Sequence, residues 1–267
     1  MSLGIISGTG LYEFALMSSV QEDVMETPYG QATVYQTDYA GQPVVFLPRH
    51  GKRHSVPPHL INYRANIYAL VVLGVKEVIS LCCVGSLARE MSPGSLVLLE
   101  QFIDNTWGRE CTFSAEGLVD HVDMTEPYCS RLGQTIMRAA QSRSVEIKTG
   151  GVYLCTQGPR FETPAEIKAY ALWGANLIGM TGVPEAPLAR EAGLCYASLA
   201  VVANYAAGMN EEEALDVESI SNIMGNEKDS LESILEAILQ QRNNSNMGCS
   251  CAAAKIAACN NWSLKER

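Results

Sequence analysis

A cluster of cationic side chains follows one of the apolar runs of the sequence. The segment Pro48-Arg49-His50-Gly51-Lys52-Arg53-His54 comes directly after Pro43–Leu47 and holds five potentially cationic side chains. An arginine guanidinium in such a segment can grip a phosphate with two parallel hydrogen bonds. The alternative is a solvated basic turn, because runs of charge usually lie on the surface. The two histidines do not predict a zinc site, since Gly51 and the following prolines disfavour a helix and no third ligand is near.

Gly8-Thr9-Gly10 is a second place where an anion can bind. It follows the short apolar run Leu3–Ser7, and backbone N–H groups in such a turn can point toward an anion. The dinucleotide-binding fingerprint needs a third glycine, and Glu13 stands in its place. A nicotinamide-dependent dehydrogenase is therefore disfavoured.

Polar and aromatic side chains also stand where other predicted strands end. In Gly158-Pro159-Arg160-Phe161-Glu162-Thr163, Phe161 can stack on a planar ring and Glu162 can accept hydrogen bonds from ring nitrogens. Alternatively, Phe161 belongs to the core and Glu162 only favours a helix N-terminus. Met180-Thr181-Gly182 and Asn204 end strands in the same way. An amide such as Asn204 needs a partner, which either the backbone or a ligand supplies.

The elements that must position these residues indicate one α/β unit. Apolar runs without alternation predict strands buried on both faces, and such strands form a parallel or mixed sheet covered by helices. The runs are Leu3–Ser7, Pro43–Leu47, Glu77–Val84, Leu96–Ile103, Gly151–Thr156, Leu177–Met180 and Leu194–Asn204. Apolar spacing predicts helices over His59–Leu73 and Asn226–Gln241, and Thr163-Pro164-Ala165-Glu166 predicts a capped helix start. The expected fold is a single α/β domain with a central mixed, largely parallel sheet flanked by helices.

Length and charge limit the class of protein further. No linker divides residues 1–242 of the 267, whereas residues 243–267 have low periodicity and indicate a cysteine-containing tail. The balance of 19 basic against 29 acidic residues, a formal charge of −10, argues against nucleic acid as a partner. No apolar run is long enough to span a bilayer, and no basic stretch precedes the first apolar residues. We therefore expect a cytoplasmic protein with no membrane partner.

Nine cysteines are spread along the chain. Six of them match no zinc module, and we expect small buried apolar side chains there: Cys82, Cys83, Cys111, Cys129, Cys155 and Cys195. Cys249-Ser250-Cys251 and Cys259 belong to the tail, where a disulfide, a redox pair and unpaired thiols all stay open. The sequence thus predicts no metal site.

Taken together, the motifs resemble those of one enzyme family. Seven occur in the family's order: Gly8-Thr9-Gly10-Leu11, Arg49-His50-Gly51, Asn62-Tyr63-Arg64-Ala65-Asn66, Gly85-Ser86-Leu87, Gly158-Pro159-Arg160-Phe161-Glu162-Thr163, Gly179-Met180-Thr181 and Pro184-Glu185. The set resembles the trimer-forming purine nucleoside phosphorylases, most closely their methylthioadenosine and methylthioinosine phosphorylase branch, over residues 3–240. The resemblance implies that a purine nucleoside and inorganic phosphate give a free base and a sugar 1-phosphate. It implies no metal, no covalent enzyme intermediate and no cofactor, phosphate being a co-substrate.

The resemblance also assigns roles to residues. Those near the phosphate are Thr9, Arg49, His50, Cys82, Cys83 and Thr181. Those near the nucleoside are Phe161, Glu162, Met180, Asn204, Ala206, Val217 and His121. His50, Glu162 and Asn204 are the candidate catalytic residues. His121 resembles a histidine that reaches the 5′ pocket of a neighbouring subunit in a homotrimer, and whether trimers pair into hexamers stays open; the alternative is an ordinary loop histidine.

Two of these positions depart from relatives or admit another interpretation. Cys82 stands where relatives usually carry Thr or Asn beside the phosphate, and a thiol is a poor hydrogen-bond donor. Val217 matches a small apolar residue in members that prefer a 5′-methylthio group, although an ordinary core position is the alternative.

Cys129 and Cys195 match positions that are disulfide-linked in some thermophilic members of the family.

The residues assigned to the base favour a 6-oxopurine. Asn204 can accept a hydrogen bond from a protonated N7 while donating to O6, and Glu162 can accept from N1–H, a proton that adenine lacks. Adenine would leave the carboxylate unsatisfied, at a cost of about 1–3 kcal/mol. Adenosine-directed members carry aspartates at the positions of Asn204 and Ala206 and a small residue at that of Glu162. We predict cleavage of 5′-methylthioinosine, inosine and guanosine. The alternatives are 5′-methylthioadenosine phosphorylase and a non-catalytic purine-binding module; a hydrolase would leave the Arg49–His50 pair without a role.

Overall fold

A computed structural model of the protein describes residues 2–8, 20–51, 54–115, 119–209, 217–242 and 248–258. Its strands are β1 (Leu3–Ser7), β2 (Gln21–Thr27), β3 (Gly30–Tyr39), β4 (Gln42–Pro48), β5 (Glu77–Ser86), β6 (Leu96–Asn105), β7 (Asp120–Val122), β8 (Ile147–Thr156), β9 (Leu177–Gly179), β10 (Cys195–Tyr205) and β11 (Lys255–Ala258). Its α-helices are α1 (Tyr63–Val72), α2 (Ser130–Ser142), α3 (Pro164–Leu172), α4 (Gly182–Glu191), α5 (Val217–Asn226) and α6 (Lys228–Gln241). None of these helices is both long and apolar enough to cross a membrane.

A nine-stranded sheet of order β10-β6-β8-β9-β5-β1-β4-β3-β2 forms the centre of the fold. Because β10 also pairs with β5, the strands β5, β9, β8, β6 and β10 close into a ring. Five pairings in this sheet are parallel and four are antiparallel. The predicted α/β fold with a mixed, largely parallel sheet is confirmed.

Helices cover the sheet on both faces, which explains why its central strands lack alternation. All five residues of β1 are buried. On one face α1 packs beside α4, with Ile67 and Leu188 in a common buried cluster. On the other face α2 packs beside α6, and Ile136 and Leu235 share a second cluster. Each such side chain contributes roughly 1.5–3 kcal/mol when it is withdrawn from water.

Local sequence signals set the ends of the helices near the cavity described below. The Thr163 hydroxyl accepts a hydrogen bond from the Glu166 backbone N–H, and the Glu166 carboxylate accepts one from the Thr163 N–H, so the predicted capping box starts α3. Helix α1 starts at Tyr63, later than the predicted His59. A 3-10 turn over Pro58–Leu60 comes first, and the Asn62 side chain then caps the helix by accepting from Ala65 N–H.

Part of the segment assigned to the tail packs on the domain. Cys251 is buried, and a 3-10 turn covers Cys251–Ala253. Strand β11 pairs antiparallel with β7, forming a small second sheet. Cys259 and the other residues after Ala258 lie outside the described part of the chain. The domain boundary at residue 242 stays a prediction.

Candidate active site

A cavity of about 340 Å³ lies where several strands of the sheet end. Residues at or just after the carboxyl ends of β1, β4, β5, β8, β9 and β10 line it, which is where open α/β sheets place ligands. Nine of the sequence-predicted site residues line the cavity: Arg49, His50, Cys83, Phe161, Glu162, Met180, Thr181, Asn204 and Ala206.

Among the described residues, two other predicted site residues, Cys82 and His121, do not line it. Cys82 precedes Cys83 on β5 and points to the opposite face of the strand, where its sulfur lies 3.6 Å from the Ser198 hydroxyl. His121 is exposed on β7 and does not line the cavity. Thr9 lies outside the described residues. Val217 is the first residue of α5, and its side chain is outside the described part, although Ile220 of the same helix lines the cavity.

Arg49 makes its two parallel hydrogen bonds to a carboxylate of the protein. Its Nε and Nη2 donate to the two oxygens of Glu185 at 2.9 and 2.8 Å, whereas the sequence predicts a phosphate as the acceptor of such a pair. Nη2 also donates to the Ser80 hydroxyl at 2.7 Å, and Nη1 donates to the Leu81 carbonyl at 2.8 Å. A guanidinium has five N–H donors, so at most one is left for a ligand.

The Arg49–Glu185 pair is part of a buried network. Glu185 also accepts hydrogen bonds at 2.7 Å from the Ser80 and Tyr196 hydroxyls. Burial alone would lower the pKa of the Arg49 guanidinium, but the Glu185 carboxylate outweighs it and the pKa is raised. The guanidinium therefore stays charged and fixes the segment after β4 beside the cavity, where it positions His50.

His50 presents a neutral imidazole to the cavity. Its Nδ1 lies 2.8 Å from the Val56 carbonyl oxygen, an acceptor, so this nitrogen carries the proton and Nε2 is left as an acceptor. Burial lowers the pKa of His50 to about 4. The His54 ring lies beside it, with 4.1 Å between the ring centroids, and also lines the cavity.

Glu162 places a partly buried carboxylate in the cavity wall. The Thr156 hydroxyl at the end of β8 donates to its Oε1 at 2.6 Å, which orients the side chain. Burial raises the pKa of Glu162 above its ordinary value, while the bond from Thr156 opposes that rise. Phe161 lines the same cavity and is 45% exposed, which excludes the interpretation of Phe161 as a core residue.

A β-bulge aims Asn204 at the cavity. Val202 pairs with Val84 and Asn204 pairs with Gly85, so Ala203 is an extra residue on β10. The Asn204 Nδ2 donates to the Tyr205 carbonyl at 2.7 Å, which leaves Oδ1 and a second N–H of the amide for a ligand. The backbone thus satisfies only part of this amide.

Arg109, which no sequence motif predicts as a site residue, holds the loop after β9 against the loop after β8. Arg109 donates to the carbonyls of Met180 and Val183 at 2.9 and 2.6 Å, and to those of Thr156 and Gln157 at 3.2 and 2.8 Å. Arg109 lies in a segment without apolar periodicity, and no short-range pattern links it to these carbonyls.

Tyr153 supports the same loop from below. Its hydroxyl accepts hydrogen bonds from the backbone N–H groups of Thr181 and Gly182 at 3.1 and 3.2 Å. Glycine is needed at both Gly179 and Gly182, because a Cβ at either position would lie 2.7 Å from the Tyr153 ring or its hydroxyl. The position of Thr181 is therefore set by a tyrosine buried in the core.

The cavity thus offers two kinds of polar group. Around Gly8, the residues Arg49, His50 and Thr181 provide one remaining guanidinium N–H, an imidazole acceptor and a hydroxyl, which suit an oxyanion that carries a proton. Glu162 and Asn204, beside the aromatic ring of Phe161, provide acceptors and one donor in a partly apolar wall. Such a set suits a planar heterocycle with N–H groups and a carbonyl.

Known proteins resemble this chain over nearly its whole length. Residues 2–240 match the family model described as phosphorylase superfamily. The chain is 43% identical over 258 residues to a probable 6-oxopurine nucleoside phosphorylase of Moorella thermoacetica, covering 96% of this chain and 99% of that protein. It is 44% identical over 256 residues to a probable S-methyl-5′-thioinosine phosphorylase of Methanothermobacter thermautotrophicus, covering 94% and 88%. The structure of methylthioadenosine phosphorylase from Schistosoma mansoni in complex with adenine matches with a TM-score of 0.86 at 34% identity, covering 90% and 91%.

Proposed function

The chain belongs to the phosphorylase superfamily, as its motifs predicted, and on this premise we propose that it cleaves 6-oxopurine nucleosides with inorganic phosphate. The products are the free base and ribose 1-phosphate, or 5-methylthioribose 1-phosphate from 5′-methylthioinosine. The observation that carries the choice of base is that the Glu162 carboxylate and the Asn204 amide line the same cavity.

Cleavage moves charge from the sugar to the base. The bond between C1′ and N9 breaks with its electron pair going to the purine, and the ribose becomes cationic. A phosphate oxygen then forms the new bond to C1′. The protein contributes by holding phosphate and nucleoside in line and by stabilising the leaving base, which is catalysis by positioning and electrostatics.

At the phosphate end, His50 accepts a hydrogen bond. Its unprotonated Nε2 accepts a hydrogen bond from the P–OH group of a monoprotonated phosphate, and the Thr181 hydroxyl and the last Arg49 N–H donate to the other oxygens. Cys83 adds an apolar wall, because burial raises the pKa of its thiol to about 12 and keeps it neutral. Thr9 belongs to this end by its place after Gly8.

At the base end, Glu162 and Asn204 bind different atoms of the purine. Glu162 accepts from N1–H, Asn204 Oδ1 accepts from a protonated N7, and the second Asn204 N–H donates to O6. A proton taken up from solvent at N7 neutralises the negative charge that the purine gains when the C1′–N9 bond breaks. The Asn204 N–H stabilises the charge left on O6, and Glu162 holds the base in place through N1–H. Phe161 stacks on the ring, Met180 lies under the ribose, and Ala206 leaves room beside the base.

The pocket for the 5′ end of the nucleoside is proposed to include a residue from a neighbouring subunit. Val217 provides an apolar contact for a 5′-methylthio group, and His121 reaches the site of a neighbouring subunit in a homotrimer. Leu172 and Trp173 are 88% and 57% exposed in the single chain, and subunit contacts usually cover such side chains. We further propose that the enzyme acts in the cytoplasm with phosphate as its co-substrate.

Base release from four nucleosides, each with and without phosphate, tests the proposal. We expect phosphate-dependent cleavage of 5′-methylthioinosine, inosine and guanosine, with 5′-methylthioadenosine at least tenfold slower in kcat/KM. Faster cleavage of 5′-methylthioadenosine would contradict the assignment of the base while leaving phosphorolysis intact. Binding of purines without turnover of any nucleoside would indicate a binding module, and release of free ribose without phosphate would indicate a hydrolase.

A further inference from the structure

Four cysteines from three separate parts of the chain meet beside the sheet, away from the cavity described above. Cys129 immediately precedes α2, Cys195 begins β10, and Cys249 and Cys251 belong to the segment after α6. Their four sulfur atoms all lie within 4.8 Å of one another, and Cys195 and Cys249 are 3.3 Å apart. Cys129, Cys195 and Cys251 are buried, Cys249 is partly buried, and all four are free thiols in the structure.

The spacing of these sulfurs suits a tetrahedral ion. A zinc ion holds thiolate sulfur at about 2.3 Å, so the edges of a four-sulfur tetrahedron are about 3.8 Å long. The Cys195–Cys249 separation of 3.3 Å is within about 0.5 Å of that value and no separation exceeds 4.8 Å, so small rotations of the side chains are enough to form the tetrahedron. No short sequence spacing reveals the site, because 66 residues separate Cys129 from Cys195 and 54 separate Cys195 from Cys249.

Two guanidiniums lie against the cluster and favour sulfur in its anionic form. Buried Arg190 donates from Nη1 to the Cys251 sulfur at 3.4 Å. Arg131, which also donates to Glu77 at 2.6 Å, lies beside the sulfurs of Cys195 and Cys249. Positive charges next to a sulfur lower the cost of the thiolate form, and four thiolates around a divalent ion carry a net charge of −2, so the two arginines suit a bound ion.

We propose that Cys129, Cys195, Cys249 and Cys251 bind one zinc ion that has a structural role. Binding replaces the four thiol protons, which pass to solvent, and forms four zinc–sulfur bonds with no change in oxidation state. The ion fills all four coordination positions with protein ligands, so it takes no part in the cleavage of nucleosides. Four thiolates in a tetrahedron select zinc or iron over harder ions.

The ion would fasten the segment after α6 to the domain. That segment continues into β11, which pairs with β7, the strand that carries His121. Metal binding would therefore stabilise the position of β7 relative to α2 and β10. This inference stands on the cysteine cluster alone and does not depend on the proposed reaction.

Metal analysis of the full-length protein tests the proposal. The protein is purified anaerobically with a phosphine reductant, supplied with zinc and desalted, and zinc and iron are then measured by mass spectrometry of the elements. We expect about one zinc ion per chain. The same protein loaded with Co²⁺ is expected to show the intense sulfur-to-metal charge-transfer bands of a tetrahedral thiolate site, a readout that needs no variant.

Variants locate the ion. Cys251→Ser and Cys129→Ser are expected to retain less than half of the zinc, while Cys111→Ser, which removes an exposed thiol outside the cluster, retains all of it. Less than about a tenth of an equivalent of zinc in the reduced wild-type protein would overturn the proposal. So would disulfides among these four cysteines that persist under the reductant, seen as the loss of two hydrogens each in the intact mass.

Discussion

Glu162 is the residue whose charge decides between purine bases in this cavity. Its carboxylate can only accept hydrogen bonds, whereas glutamine at the same place can also donate. We expect Glu162→Gln to lower kcat/KM for inosine by roughly 10- to 100-fold, because a charge-assisted hydrogen bond to N1–H contributes about 1.5–3 kcal/mol. For 5′-methylthioadenosine, kcat/KM should fall less or rise, since the new amide can donate to adenine N1. Steady-state kinetics with both nucleosides measures the ratio.

Glu166→Gln is the matched control for this substitution. Glu166 is on α3, where its carboxylate pairs with Arg160 and accepts from the Thr163 N–H, and it does not line the cavity. Glutamine also completes a capping box, so we expect kcat/KM for inosine and for 5′-methylthioadenosine to stay within about twofold of wild type. If the two variants change the inosine to methylthioadenosine ratio equally, Glu162 does not contact the base.

His50 makes the free energy of unfolding depend on pH, and this dependence can be measured without substrate. Its pKa is about 4 in the folded protein against 6.5 for an ordinary histidine, so between these values the unfolded chain binds a proton that the folded chain does not. Stability from this residue is complete above pH 6.5 and is lost as the pH falls toward 4, by about 3 kcal/mol in all. Urea unfolding at a fixed protein concentration, at several pH values in this window, measures it.

His50→Asn isolates this contribution from that of the carboxylates. The Asn side chain keeps an N–H for the Val56 carbonyl but has no group that titrates in this range. We expect the free energy of unfolding of the variant to fall less than that of wild type over the same window, by about 2–3 kcal/mol. Equal slopes in the two proteins would mean that His50 is not held neutral by burial.

The sequence predicted site residues where a polar or charged side chain follows an apolar run. Glu162 and Asn204 were found in this way, and the structure brings both to one cavity. The partner of Arg49 was not found, because Glu185 lies 136 residues away in sequence and no pattern links the two. Arg109 and the four clustered cysteines were missed for the same reason, since each acts through contacts that only the folded chain creates.

At the scale of elements, the turn between β8 and α3 must come close to the turn after β9. Gly158 adopts a φ of +60°, and a Cβ there would lie 2.5 Å from the Met180 sulfur. We expect Gly158→Ala to cost about 1–3 kcal/mol for the left-handed backbone and also to displace Met180. KM for the nucleoside should therefore rise severalfold, which initial-rate kinetics at saturating phosphate detects.

Gly174→Ala separates backbone strain from the contact with Met180. Gly174 has a φ of +92° and no atom within 4 Å of an added Cβ, so only the backbone term applies. We expect a similar loss of thermal stability but an unchanged KM. A rise in KM in both variants would show that general loosening, and not the displacement of Met180, affects the nucleoside site.

The elements that were predicted are those whose burial leaves a simple pattern. Strands buried on both faces, such as β1 and β5, appear as unbroken apolar runs, and the capping box marks the start of α3. The hairpin of β2 and β3 was not predicted, because β2 lies at the edge of the sheet and consists largely of polar, exposed residues. The bulge at Ala203 was not predictable either, since register depends on the pairing of β10 with β5.

At the scale of the whole molecule, the ring of strands brings the residues of the site together, and we propose that a neighbouring subunit completes it. The ring brings the ends of β5, β9 and β10 together, so residues more than a hundred positions apart share one cavity. His121 lies outside that cavity in the single chain. In the proposed trimer, His121 would act on the cavity of a neighbouring subunit, and this role stays a prediction.

Mixed trimers test this arrangement. We expect His121→Ala and Glu162→Ala each to be weakly active alone. The two variants are unfolded together in equal amounts and refolded. An intact site then needs a subunit that carries Glu162 next to a neighbour that carries His121. Each of these two subunits has a chance of one half of being the variant that is needed. About a quarter of the wild-type activity should therefore return. A mixture of Glu162→Ala with Phe161→Ala should recover nothing, because both residues line one cavity of one chain. If the first mixture also stays inactive while forming trimers in sedimentation analysis, His121 does not serve a neighbouring site, and the exposed β7 strand has only a structural role.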